Sequence, residues 1–188
     1  DVLGLSGDAG SAGAFGGGIA FIDPRLKDAG ARAVLPLEGA AKTLEDAGFK
    51  ATDTPEYDRL RLQLGLPDGS RDLVVEKSTL LESGFDELNG VDWDKGCYMG
   101  QELTARTKYR GLVKKRLVPV IFDGPPPAPE TPVMLGEKEA GELRSSLPAD
   151  DGGIGLALLR LDSMAEADET ETALQAGTVT VTPAKPSW

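Results

Sequence analysis

Apolar positions along this chain fall into short clusters set apart by glycine, proline and acidic residues. Ile19-Ala-Phe-Ile22 predicts a short buried strand stopped by Asp23-Pro24-Arg25, and Ala33-Val-Leu-Pro36 predicts a second. The Gly-rich stretch before them (Gly10, Gly13, Gly16, Gly17, Gly18) threads neither a GxGxxG nor a GxxxxGK[ST] pattern and reads as a turn between strands. Leu37, Ala40, Ala41, Leu44 and Ala47 recur at helical spacing up to Gly48. Thr54-Pro55-Glu56 reads as a helix start, with Thr as N-cap and Pro at the first helical position, and Leu60, Leu62 and Leu64 follow before Gly65. Leu66-Pro67-Asp68-Gly69 is a turn by its chemistry, and Leu73 to Val91 predicts a short strand followed by an acidic loop. Gln101 to Arg110 fits one helix closed by Gly111, with Glu102 and Arg106 placed four apart for an ion pair.

The pattern changes at Asp123. Five prolines between Pro125 and Pro132 make a stiff linker or surface loop. Beyond it the segments are short, strand-like and punctuated by glycine: Val133-Met-Leu, Gly141-Glu-Leu-Arg-Ser, Gly153 to Arg160, and Thr178-Val-Thr-Val. With Leu117 to Phe122 as first strand, they predict a small antiparallel barrel or sandwich. The expected architecture is α+β, with one domain over 1–118 and a β-barrel over 119–188.

Composition narrows the chemistry. The 188 residues carry 20 basic against 31 acidic side chains, a net charge of −11, which argues against a generic nucleic-acid coat protein. No apolar run is long enough to span a membrane. There is one cysteine and no histidine, so the Ser-His-Asp triad, the Cys-His pair and every His-containing metal site are excluded. A single thiol also cannot hold an iron–sulfur cluster, which takes about four ligands, so no stably bound metal is expected. One cysteine likewise excludes an intrachain disulfide and fits a reducing compartment. The chain begins Asp1-Val-Leu-Gly-Leu-Ser-Gly, without a signal-peptide pattern, and is expected to continue residues upstream.

Lys95-Gly-Cys-Tyr-Met-Gly-Gln-Glu102 is the stretch that pattern rules leave unexplained. Two glycines bracket the only cysteine, a helix start follows, and Lys95 stands two residues before the thiol. Helix-start N–H groups and an ammonium both favour a thiolate. The residues fit either a reactive thiol or a buried structural cysteine in a tight turn.

KGCYMGQE resembles the signature of the YgfZ family, folate-binding relatives of the glycine-cleavage T-protein that support iron–sulfur protein maturation, and the mitochondrial iron–sulfur assembly factors of that superfamily share the pattern. Asp23-Pro24-Arg25 with Gly30-Ala-Arg32, Leu81-Glu82-Ser-Gly-Phe-Asp86, and Gly155-Leu-Ala-Leu-Leu-Arg160 fit the same family in the same order. The resemblance implies a T-protein-like, ferredoxin-like α+β core, partial here, with a C-terminal antiparallel β-barrel. It makes Cys97 the reactive or metal-facing thiol and Lys95 its electrostatic partner. Gly96 and Gly100 would permit close backbone approach, Tyr98 and Gln101 would line the central cavity, and Glu102 and Arg106 would brace the helix. The implied cofactor is tetrahydrofolate or another folate, bound through Gly96, Tyr98, Gly100, Gln101, Glu102 and Arg106. The family's N-terminal portion, which holds part of its folate pocket, has no counterpart among these residues.

Arg106, Lys108, Arg110, Lys114, Lys115 and Arg116 place six bases in eleven residues with no acid between them. They suit the glutamate tail of a folate, an RNA phosphate, or simply a solvated helix end. The reading that follows is a folate-binding accessory protein for iron–sulfur cluster assembly or repair, working with client or carrier proteins and not with membranes. A tetrahydrofolate-dependent aminomethyltransferase-like enzyme and a tRNA-modification factor, with tRNA as partner, are the alternatives. The expected location is the cytoplasm of a bacterium or the mitochondrial matrix of a eukaryote.

Overall fold

The computed structural model describes residues 2–188, which form two compact units, one reaching to Tyr57 and one spanning Asp58–Ser187. In the first unit, strands β1 (Ala12–Phe15), β2 (Gly18–Ile22) and β3 (Ala31–Val34) make an antiparallel meander. Phe15 pairs with Gly18 across a two-residue turn, Gly16-Gly17, and both glycines have positive φ (55° and 79°). That is the backbone which matches the twist of a tight hairpin. The Gly-rich stretch therefore contains a strand of its own as well as the turn that was expected. The second predicted strand begins earlier, at Ala31, because Ala31 to Val34 pairs with Ile22 to Ile19.

Helix α1 (Ala40–Asp46) starts three residues later than the apolar spacing predicts, and Leu37 is left almost wholly exposed. Asp23, buried at the end of β2, accepts hydrogen bonds from Arg25 Nε (3.0 Å), Arg25 Nη2 (2.9 Å) and Arg32 Nε (2.8 Å). Burial pushes the Asp23 carboxyl up, but the hydrogen bonds from Arg25 and Arg32 outweigh it and hold the group well below the usual carboxylate range. The Asp-Pro-Arg element and the later arginine thus form one ion cluster that fixes the β2–β3 connection.

Helix α2 (Thr54–Gln63) leads into the second unit and is followed by a single turn, α3 (Gly69–Asp72), capped by the Asp68 side chain. Residues 73–91 form successive turns, not the predicted strand: Ser78 Oγ accepts the Val74 N–H at 2.8 Å and closes the chain on itself. Helix α4 (Gln101–Tyr109) matches its prediction within a residue.

The rest is a closed six-stranded antiparallel barrel. Strands β4 (Lys115–Phe122), β5 (Pro132–Leu135), β6 (Lys138–Ala149), β7 (Gly152–Arg160), β8 (Leu174–Ala176) and β9 (Val179–Pro183) run in the order β4-β7-β6-β5-β8-β9, and β9 pairs back onto β4. Its interior is filled by Val120, Phe122, Val133, Leu143, Leu159 and Val181, each at most 2% exposed. Closure removes the open sheet edge that would otherwise invite pairing with other chains. Helix α5 (Leu161–Thr170), which the sequence reading did not anticipate, packs Met164 and Ala167 against this core. The Pro-rich segment is the β4–β5 connection within the barrel, so it is a surface loop and not a linker. The division drawn at 118/119 falls within β4, all eight residues of which pair with β7.

A second apolar cluster, Leu62, Leu117 and Leu156, joins α2 to β4 and β7. Beside it lies a buried polar network. Arg61, 3% exposed, donates from Nε to Asp58 Oδ1 (2.7 Å), from Nη1 to Asp72 Oδ2 (2.8 Å) and from Nη2 to Ser145 Oγ (3.2 Å), and Ser145 Oγ donates to Asp72. The α2–α3 segment is thereby bonded to β6.

Candidate functional site

The signature lies on the connection into α4. Tyr98 to Gln101 is a tight turn: the Gln101 N–H donates to the Tyr98 carbonyl at 3.2 Å, and Gly100 takes φ 89°, ψ −3°. Positive φ at the third position of such a turn is what glycine supplies without strain. Gln101 Oε1 then accepts the Tyr98 N–H at 3.2 Å, closing the turn from the other side. Upstream, Asp92 Oδ1 accepts the N–H groups of Asp94 (2.9 Å) and Lys95 (3.2 Å).

Held between these two turns, Cys97 is an exposed free thiol. The structural alternative, a buried cysteine, is thereby set aside. Cys97 lies three residues before Gly100, outside α4, so helix N–H groups do not cradle it as the sequence suggested. The Lys95 ammonium sits 4.9 Å from the centre of the Tyr98 ring, a cation–π contact that keeps this charge on the thiol's loop. Tyr98 Oη is enclosed and meets no hydrogen-bond partner among the described residues. Gly96 has ordinary backbone, and a Cβ added there meets nothing within 4 Å, so close approach within the chain is not what requires glycine at this position. Glu102 and Arg106 form the expected pair at 2.6 Å, both exposed, worth about 0.3–0.5 kcal/mol.

The structure joins Lys95 to Tyr98 and Tyr98 to Gln101, on the loop that carries Cys97. What sequence reasoning missed is the clamp behind them. Asp86 accepts the Trp93 indole N–H at 2.7 Å and pairs with Lys108 at 2.8 Å. The Lys108 ammonium also lies 4.1 Å from the Trp93 ring centre, and Trp93 meets Tyr109 edge-on at 5.9 Å. Trp93 precedes the thiol by four residues and Lys108 sits in α4, so the clamp grips the loop on both sides. Its members are separated by up to 23 residues, and the only signal was an aspartate ending a segment already singled out.

The basic patch is also divided. Arg106 pairs with Glu102, Lys108 with Asp86, and Arg116 with Glu87, which leaves Arg110, Lys114 and Lys115 without acidic partners among the described residues. Among those residues no group of three or more Cys, Asp or Glu could hold a metal ion, and no helix is long and apolar enough to cross a membrane.

Comparison with known proteins bears on this geometry. Residues 114–188 match the family model described as the CAF17 C-terminal beta-barrel domain. The match starts one residue before β4 and covers the whole barrel, so the α+β class with a C-terminal barrel is established. Over 168 residues the chain is 36% identical to the mitochondrial iron–sulfur cluster assembly factor IBA57 of Mus musculus, covering 88% of this chain and 46% of that protein. It is 40% identical over 138 residues to the IBA57 of Homo sapiens (73% and 38% covered), and 42% over 112 residues to an IBA57 homolog of Neurospora crassa (58% and 25%). The chain spans less than half the length of these relatives.

Proposed function

We propose that this chain carries the cluster-handling thiol of an iron–sulfur cluster assembly factor, with the loop 95–102 as its working surface. The observation that carries the reading is the exposure of Cys97 on a doubly braced loop. The relatives' names supply the process: they are iron–sulfur cluster assembly factors, and mitochondrial ones, which favours the matrix if this organism is a eukaryote.

Chemistry sets the form of the interaction. A cluster takes about four ligands, and this chain offers one thiolate and no imidazole. Cys97 therefore acts through shared ligation, with the remaining ligands coming from a partner protein, a second copy or a small thiol. Such ligation is labile, which suits transfer of a cluster to a client or carrier. Lys95, held to Tyr98, places a positive charge on the same loop as the thiol, and the turn at Gly100 keeps Cys97 outside α4.

Folate remains part of the proposal for the whole protein. Arg110, which has no acidic partner among the described residues, is a cation for a carboxylate of a folate tail, while Arg106 is paired with Glu102 and residues as exposed as Cys97, Met99 and Glu102 do not enclose its bicyclic ring. A reduced folate, when bound, would supply a carrier for one-carbon units. The transferase reading has no feature of its own in these residues, and the pairing of three of the six bases leaves RNA without a continuous cationic surface.

The test is complementation. In cells lacking the factor, the Cys97→Ala variant should fail to restore cluster-dependent enzyme activity while accumulating normally. Full restoration by that variant, or a stable stoichiometric cluster on the isolated monomer, would overturn the proposal.

A further inference from the structure

We propose that the outward face of α4, together with Met99, is a docking surface for an acidic protein whose own cysteines supply the remaining cluster ligands. Shared ligation at Cys97 calls for such a partner, so the assignment rests on the reading of the thiol given above.

Helix α4 is held from one side. Lys108 carries the contacts to Asp86 and Trp93, and at about 3.6 residues per turn Leu103, Arg106 and Arg110 fall roughly opposite to it. No residue of α4 is buried. Leu103 is 68% exposed, Tyr109 is 74% exposed although its ring meets Trp93, and Met99, just before the helix, is 99% exposed. A surface helix ordinarily turns its apolar residues toward the core. Here they face outward, which is the arrangement of a surface that another protein covers. Methionine, tyrosine and arginine are also the residue types that concentrate in the cores of protein interfaces. The face is continuous with the thiol, since Met99 follows Cys97 by two residues and Leu103 follows Met99 by four.

Charge decides which kind of partner fits. The six bases from Arg106 to Arg116 have no acid between them, in a chain of net charge −11. Arg106 is paired with Glu102, but Arg110 and Lys114 have no acidic partner among the described residues. A second copy would set these bases against one another, and like charges across an interface oppose association. An acidic protein meets them with the opposite sign, which speeds encounter and fixes its orientation beside the thiol.

The experiment places a photoactivatable benzophenone side chain at position 99 of the chain, expressed in cells lacking the factor. The expected result is an adduct with one protein that, once identified and purified, is acidic and binds a cluster through its own cysteines. In calorimetry with that purified protein, Leu103→Glu and Arg110→Glu should each weaken binding about tenfold or more, with normal melting temperatures. Lys185→Glu, the same change of charge at an exposed position outside the face, should leave binding unchanged. The Cys97→Ala chain should form the same adduct, because docking does not need the sulfur. No adduct, an adduct with a second copy or with RNA, or equal weakening by Lys185→Glu would overturn the docking surface. The two readings fail separately. An adduct combined with full complementation by Cys97→Ala would remove the shared ligands and leave the docking face, whereas no adduct combined with failed complementation would remove the face and leave the thiol's role.

Discussion

Lys108, near the end of α4, pairs with Asp86, 22 positions earlier, at 2.8 Å, and the Trp93 indole N–H donates to the same carboxylate. One carboxylate thus ties the helix that follows the thiol to the loop that precedes it. Burial pushes Asp86 up, but the hydrogen bonds from Lys108 and Trp93 outweigh it, and the group is held below 3.8. A carboxylate lowered in the folded state stabilises fully above its unfolded value and loses that contribution as pH falls through its folded value. Trp93 fluorescence should therefore be flat at neutral and mildly acidic pH and report loosening of the loop only as pH falls below the usual carboxylate range. Asp86→Ala should cost about 1–2 kcal/mol by leaving the indole N–H without its acceptor. Asp86→Asn keeps that acceptor and should cost less. Equal effects from the two would mean that Lys108, not Trp93, is the significant partner.

The Arg61 network predicts a larger loss. Its side chain is 3% exposed, and Asp72, its partner, is fully enclosed. Removing one member of a buried pair strands the other charge, at a cost of about 3–5 kcal/mol. Arg61→Ala is expected to show that loss in chemical denaturation. Ser145→Ala should cost about 1–2 kcal/mol, because Asp72 still receives Arg61 and the Asp68 N–H. Asp58 is lowered to about 2, first by the hydrogen bond from Arg71, with burial opposing and Arg61 adding to it. This part of the stability should thus survive acidification to about pH 4 and fall away between 3.8 and about 2.

How legible these features were in the sequence follows from their range. Helix α4 was legible because Gly100 and Gly111 punctuate it, and the long barrel strands were legible because Leu117 to Phe122 and Gly153 to Arg160 are apolar runs between turn residues. Helix α5 was missed because its Leu161, Met164 and Ala167 share the helix with four acidic residues and no base, a weak stripe until the barrel supplies a surface to cover. Val74-Val75 suggested a strand, but the Ser78 hydroxyl takes the Val74 N–H and a local turn wins. The signature's residues were legible as a string. The Asp86 clamp depends on side chains brought together from distant segments, and no local pattern encodes it.

Gly155 offers a test of barrel packing. It pairs with Val120 on β4 and Ser146 on β6, and a Cβ there would lie 2.5 Å from the Ser145 carbonyl oxygen and 3.0 Å from the Phe122 ring. Backbone and a core aromatic must both shift, so Gly155→Ala should destabilise by about 1–3 kcal/mol. Thermal melting checks it. A neutral result would mean that β6 yields more easily at the register slip between Leu143 and Ser146 than the paired strand suggests.

Gly96 and Gly100 look alike in the signature, yet the structure separates them. Gly100 holds φ 89° in the turn closed by the Gln101 N–H and the Tyr98 carbonyl, and a Cβ there meets nothing within 4 Å. The cost of Gly100→Ala is therefore purely conformational, about 1–2 kcal/mol, and Gly100→Asn should cost less because asparagine tolerates left-handed backbone. Gly96→Ala, in ordinary backbone and open space, should change stability by less than about 0.5 kcal/mol. Gly96 adjoins Cys97, however, so if the thiol must meet a partner's surface, an added methyl obstructs the approach without touching the fold. The expected pattern is a normal melting temperature with impaired cluster-dependent enzyme activity for Gly96→Ala, and a lowered melting temperature for Gly100→Ala. Normal activity in Gly96→Ala would show that no partner approaches the backbone at that point, and would move the contact to the Met99 side of the loop.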